Sequence, residues 1–187
     1  MLPTSAVAPL LVFGWGNLSR GDDALGPIFV DRLYAALDPS LAGRVEFLTD
    51  YQLQVEHALD LIDRSRVLFV DASMSCASPF QVYALQAADE RSISTHALSP
   101  ATVLQVFRRV QGCDPPESTQ LAIRGERFEL GAATSESAAQ NLERALTWGV
   151  RWLVSSGVDH QASSCPQNRK KAHVVGRCGL LSGVIEA

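Results

Sequence analysis

Leu10-Leu11-Val12-Phe13-Gly14-Trp15-Gly16-Asn17-Leu18-Ser19-Arg20-Gly21-Asp22-Asp23-Ala24-Leu25-Gly26 is the stretch from which the fold is read. Its first four residues form a continuous apolar run that stops at glycine, the pattern of a strand buried on both faces of a parallel sheet. Beyond the glycine loop, Leu25, Ile28, Phe29, Leu33 and Leu37 recur at helical spacing. Pro27 falls where a helix tolerates proline, in its first turn, and Asp38-Pro39 ends the run. Strand, glycine loop and helix together make the opening unit of an α/β sheet.

The same alternation continues outward. Val45 to Thr49 reads as a second strand, and Leu53 to Ile62 returns to helical spacing. Arg66-Val67-Leu68-Phe69-Val70-Asp71 is the clearest strand, four apolar residues closed by an acid, and Phe80 to Leu85 gives a fourth. Ser99-Pro100 combines a hydroxyl cap with proline at the first helical position. Val103, Leu104, Val106, Phe107 and Val110 follow it as the apolar face. After a loop over 111–118, Leu121-Ala122-Ile123 begins the last strand, with Arg127 to Leu130 as a candidate extension. Ser137-x-x-Gln140 resembles a capping box and opens a long helix through Leu142, Leu146, Val150 and Leu153. Right-handed crossovers then give a single three-layer α/β domain, with a mostly parallel twisted sheet of about five strands and helices on both faces. The domain is expected over 1–156. Residues 157–187, which include Asn168-Arg169-Lys170-Lys171, show little period and read as a tail.

Composition narrows the function classes. The 187 residues are 47% hydrophobic and 19% charged, which suits one folded domain and excludes a disordered chain. The net charge of −4 comes with no basic stripe, so neither nucleic acid nor an electrostatic membrane anchor is expected as partner. No apolar run reaches the ~20 residues of a spanning helix, and the start lacks a signal peptide's positive end. A cytoplasmic protein is expected. Cys76, Cys113, Cys165 and Cys178 form no Cys-x-x-Cys pair, which excludes the usual zinc and redox motifs and leaves four free thiols as the expectation.

In an open α/β sheet, ligands bind beyond the carboxyl ends of the strands. Asn17, Asp22 and Asp23 follow the first strand, Asp50 closes the second, Asp71 closes the third, and His96 lies beyond the fourth. Unpaired carboxylates gathered at one rim repel each other, and a divalent cation relieves that repulsion. Plainer roles fit each residue alone. Asp22 or Asp23 caps the next helix, Asp50 orders a loop, Asp71 accepts a loop amide, and His57 lies on an ordinary helix face. Asn17 either orders the glycine loop or donates to a developing oxyanion. Cys76 is the thiol nearest the rim, and no nucleophile-elbow sequence surrounds Ser19, Ser73 or Ser75. Gly14-x-Gly16 also suggests a dinucleotide site, but Ser19 stands where the third glycine belongs, and two acids oppose a pyrophosphate.

Taken together, these segments resemble the hydrogenase maturation proteases. Gly14-Trp15-Gly16-Asn17 with Gly21-Asp22-Asp23-Ala24-Leu25-Gly26 is similar to the family's glycine–acid signature. Leu68-Phe69-Val70-Asp71-Ala72 is similar to its second acidic strand, and Thr95-His96-Ala97-Leu98-Ser99-Pro100 to its histidine loop. Tyr51-Gln52-Leu53-Gln54-Val55-Glu56 and Ile123-Arg124-Gly125 extend the match, which runs from residue 10 to about 155 and leans toward members serving soluble NAD-reducing hydrogenases. Ala24 departs from the pattern, since glycine is usual there, but a helix start needs no positive φ.

The resemblance implies an endopeptidase that removes the C-terminal extension of a NiFe-hydrogenase large-subunit precursor after nickel insertion. Asp23, Asp71 and His96 would be its metal-contacting and catalytic residues. The nickel is supplied by the precursor, so two carboxylates and an imidazole leave positions open on the metal. A nickel-checking chaperone that binds without cutting is the alternative from another class, and a nucleotide-binding oxidoreductase a third.

Overall fold

The computed structural model describes residues 7–88 and 98–156. Five strands, β1 (Leu10–Trp15), β2 (Val45–Asp50), β3 (Arg66–Ser73), β4 (Phe80–Leu85) and β5 (Glu117–Arg124), form one sheet in the order β2-β1-β3-β5-β4. β1, β2, β3 and β5 run parallel, and β4 pairs antiparallel with β5 at one edge. Three helices, α1 (Leu25–Ala35), α2 (Pro100–Gln111) and α3 (Glu136–Ser156), cover the two faces. This is the expected three-layer architecture.

Period-two alternation explains why the central strands are apolar throughout. Leu10 and Val12 of β1, with Leu68 and Val70 of β3, face the core beneath α1 and α3, where Phe29, Leu33, Leu142 and Trp152 pack. Leu11, Phe13, Val67 and Phe69 point the other way, against Val103, Leu104 and Phe107 of α2. All eight strand residues are at most 1% exposed, as strands sandwiched between helix layers must be. Ser99 caps α2 by accepting the Thr102 N–H, with proline first in the helix, as its sequence indicated.

Four expectations about the chain differ in detail. The run over 53–62 forms only a 3₁₀ turn at Val55–Ala58, closed by reciprocal bonds between Gln54 and His57. Leu53 and Leu61 are buried there as the spacing implied, whereas Leu59 is exposed and Ala58 takes the inward place, because the backbone turns too early for an α-helix. β5 begins four residues before its apolar run, because ladders to β3 and β4 on either side order its polar start. It ends at Arg124 rather than extending to 130, since the amides of Glu126 and Arg127 donate to Asp22 instead of to a neighbouring strand. The cap of α3 is Ser135, whose hydroxyl accepts the Ala138 N–H, while Ser137 donates to Glu126. Cys76 is a buried free thiol, whereas Cys113 is disulfide-bonded, so the four cysteines are not all free. The tail assigned from 157 lies outside the described residues. Among those described, no helix is long and apolar enough to cross a membrane.

One contact joins the two ends of the domain. Asp22 is fully buried, and its carboxylate accepts hydrogen bonds from the amides of Glu126, Arg127 and Ser135 and from the Ser135 hydroxyl, at 2.7–2.8 Å. Burial opposes its charge, but these donors outweigh that effect and hold the carboxyl below its ordinary range. Asp22 therefore does not cap the helix beside it; it fastens the glycine loop to the segment between β5 and α3. Asp22→Ala is expected to cost about 3–5 kcal/mol in urea unfolding, because four donors lose a charged acceptor. Asp22's contribution is present above about pH 4 and lost on acidification through its lowered folded value.

Candidate active site

The sheet order reverses direction between β1 and β3, and their carboxyl ends open a crevice at that switch point. The glycines of the opening loop are there for close approach. Gly16 has φ +143°, and a Cβ on it would lie 1.9 Å from the Asp23 carbonyl oxygen. Gly26, in the first turn of α1, would place a Cβ 2.3 Å from the Trp15 carbonyl oxygen. Backbone thus packs on backbone where β1 enters the loop and α1 leaves it, and larger residues would force the helix off the strand. Ala24 lies at φ −71°, 3% exposed, so alanine introduces no strain there.

A 3₁₀ turn over Gly21–Ala24 precedes α1. It sends Asp22 inward, as described, and leaves Asp23 at the crevice. Asp23 Oδ2 accepts the Asn17 N–H at 2.9 Å. Neither acid caps a helix of its own segment. Across the crevice stands Asp71, in β3 opposite Ala122. Both carboxylates line one cleft of about 270 Å³, together with Trp15, Arg20, Tyr51 and Leu98. Burial pushes the Asp71 carboxyl up to about 7; the Ala72 N–H works against that shift and the Asp23 charge adds to it. The pair has the chemistry of a cation site, since a cation would remove both the repulsion and the cost of a desolvated charge.

His96 lies outside the described residues. Among the described residues, no three His, Cys, Asp or Glu side chains gather as a metal-binding set. Asp23 and Asp71 are thus two corners of the expected trio brought to one cleft.

Other residues take places that single-residue reading left open. Asn17 is spent on the loop: its Oδ1 accepts the Ser19 N–H at 2.8 Å, and its Nδ2 donates to the Tyr51 hydroxyl at 2.9 Å. Asp50 orders the turn after β2, accepting the Tyr51 N–H on one oxygen and facing His57 Nε2 at 3.1 Å with the other. His57 Nδ1 accepts the Gln54 N–H at 2.9 Å, so in the neutral ring the proton sits on Nε2 and is donated to Asp50. The ring stands edge-on to Phe13, centroids 4.6 Å apart. His57 is therefore not an idle surface histidine but a brace behind Tyr51. Cys76 turns its thiol into the protein, donating to the Ala122 carbonyl at 3.4 Å, and does not line the cleft.

Sequence reading missed Arg20 and Tyr51 as cleft residues. Arg20 donates through Nε to the Phe128 carbonyl at 3.1 Å, a contact made 108 residues away that no local pattern records. Tyr51 lay within a quoted motif, but its place in the wall depends on Asn17 and Asp50.

Fold and site together define an open α/β protein with an acidic cleft at its switch point. The sequence matches no protein-family model and no curated protein. Solved structures are informative. The hydrogenase maturating endopeptidase HybD from E. coli is similar over 79% of this chain and 93% of its own, with 26% identity and a TM-score of 0.62. An endopeptidase from Escherichia coli, solved in solution, is similar over 80% and 94%, also with 26% identity and a TM-score of 0.62. The NiFe hydrogenase maturation protease HycI from Thermococcus kodakarensis KOD1 shares the fold at 20% identity, over 79% and 93%, again with a TM-score of 0.62. The chain is thus similar in fold to hydrogenase maturation proteases over about four fifths of its length.

The raised Asp71 value has a measurable consequence for the metal-free protein. Between pH 4 and 7 the folded state keeps a proton that the unfolded chain has released. Asp71 therefore supports the fold at low pH, and that support is lost as pH rises through about 7. Asp71→Asn has no such charge to bury. Thermal unfolding of the metal-free variant should match wild type near pH 4 and exceed it at pH 8 by on the order of 4 kcal/mol.

Proposed function

We propose that this chain is an endopeptidase that removes the C-terminal extension of a NiFe-hydrogenase large-subunit precursor once nickel has been inserted. The observation that carries this reading is the convergence of Asp23 and Asp71 in one cleft, where burial and the Asp23 charge oppose ionisation of Asp71. The similarity to maturation endopeptidases supports the reaction class. Nickel belongs to the precursor: it enters as part of the substrate, held by the precursor's cysteines.

In this reading Asp23, Asp71 and His96 contact the precursor's nickel and so dock the scissile peptide beside the cleft. The carboxylates can then activate a water, or the metal polarise the carbonyl. Water's hydroxyl adds to the carbonyl carbon, the C–N bond breaks, and the proton goes to the leaving amine. The cleft walls hold the peptide in place for that attack. An unloaded precursor brings no cation to two mutually repelling carboxylates and binds poorly, which makes cleavage conditional on the metal. The site of action would be the cytoplasm.

Mass spectrometry of precursor processing tests this. Wild type should cut nickel-loaded precursor and leave nickel-free precursor intact. Asp23→Asn, Asp71→Asn and His96→Ala should each slow cleavage by roughly a hundredfold or more, the scale of losing a positioning or charge-stabilising group. Full cleavage by all three variants overturns the residue assignment. Equal cutting of nickel-free precursor overturns metal recognition, and tight binding without product would make the chain a nickel-checking chaperone.

A further inference from the structure

When water adds to a peptide carbonyl, the π electrons move onto oxygen and an oxyanion forms. Asp23 and Asp71 line the cleft and would repel that charge. Hydrolysis there calls for a donor aimed at the carbonyl oxygen, and preorganised donors of this kind carry much of the rate in acyl transfer.

The amides closest to the two acids are already engaged. Gly16 N–H donates to the Asp50 carbonyl, Asn17 N–H to the Asp23 carboxylate and Ser19 N–H to the Asn17 side chain. The amides of Arg20 and Asp23 donate to carbonyls of their own loop, and the Ala72 N–H on the other wall meets Asp71. Asn17, the donor that its position in the sequence suggested, has its side-chain nitrogen committed to Tyr51. Tyr51 and Gln52 line the cleft as neutral groups.

Arg20 lines the same cleft and differs from all of these, because a guanidinium stays charged at any working pH. Its Nε donates to the Phe128 carbonyl at 3.1 Å, which holds the group by its inner nitrogen. Among the described residues no other acceptor meets this side chain, so both terminal nitrogens keep their N–H groups for a ligand. The loop beneath has anchors of its own. Gly21 N–H donates to Ala132 at 3.1 Å, Gly131 N–H to Ser19 at 2.7 Å, and Asp22 fastens the same segment. The guanidinium is thus positioned before a substrate arrives, with its outer edge open.

We propose that Arg20 is a further catalytic residue, whose terminal N–H groups donate to the carbonyl oxygen of the scissile bond and hold the oxyanion formed when water adds. The proposal rests on the proteolytic reading above. On collapse the electron pair returns to the carbonyl, the C–N bond breaks and the amine leaves with a proton, while Arg20 keeps its own protons throughout. Full charge on the oxygen exists only after addition, so Arg20 favours the transition state over the bound precursor.

Kinetics on nickel-loaded precursor with wild type, Arg20→Ala and Arg20→Lys test this. Arg20→Ala should lower kcat about a hundredfold, the scale of losing one oxyanion donor, and change KM by less than about threefold. Arg20→Lys, which restores the charge without the planar fork, should fall between the two. Methylguanidinium should raise the kcat of Arg20→Ala in a saturable way, and calorimetry should find the processed, nickel-loaded subunit bound equally by wild type and Arg20→Ala. Thermal unfolding of Arg20→Ala should match wild type, since the loop keeps its other anchors. An unchanged kcat, a loss confined to KM, or a slowed variant that melts early and is not rescued overturns the role of Arg20, while cutting by wild type keeps the proteolytic reading. No cutting by wild type overturns that reading, and the role of Arg20 with it.

Discussion

The buried carboxylate of Asp22 is the contact on which the site's geometry depends. It accepts four hydrogen bonds from Glu126, Arg127 and Ser135, residues more than a hundred positions away. A charge removed from water is costly unless its acceptor sites are filled, and here they are. The same contact ends β5, meets the hydroxyl that caps α3 and fixes the turn leading into α1. Successive residues of a 3₁₀ turn point roughly 120° apart. Pinning Asp22 inward therefore aims Asp23 elsewhere, toward the crevice. Two adjacent aspartates acquire opposite roles from a single anchor.

The crevice itself follows from strand order. β1 lies between β2 and β3, so the chain leaves it in one direction and returns in the other, which opens a crevice at the carboxyl ends. Asp71 reaches that gap from an apolar strand, which is why it is poorly solvated. Asp23 reaches it from a loop and adds a like charge. The arrangement is unfavourable without a cation and favourable with one. Under the proposed function, that difference separates loaded from unloaded precursor, since the electrostatic relief arrives only with the metal.

The other wall is built by hydrogen bonding. His57 accepts the Gln54 N–H and presents its second nitrogen to Asp50, which in turn holds the Tyr51 N–H. These bonds give each Asp50 oxygen a contact and fix the Tyr51 backbone in the wall, while the carboxylate keeps its charge. The result is two adjoining hollows that share Gly16 and Tyr51, one lined by Asp23 and Asp71 and the other by Asp50.

Much of this was legible in the chain. The continuous apolar runs of β1 and β3, the helix start at Ser99-Pro100 and the glycine–acid loop gave the layered α/β class, because burial on both faces leaves a pattern that needs no partner to be read. The motifs likewise pointed to Asp23 and Asp71. What the chain could not show were roles assigned by distant contacts. Nothing local distinguishes Asp22 from Asp23, marks Ser135 over Ser137 as the cap, halts β5 at Arg124 or brings Arg20 and Tyr51 into the cleft. The sequence by itself determined which faces are buried and which residue types stand at the strand ends. Tertiary structure decided which carboxylate is anchored and which is left for chemistry, because hydrogen-bond donors over a hundred residues away choose between them.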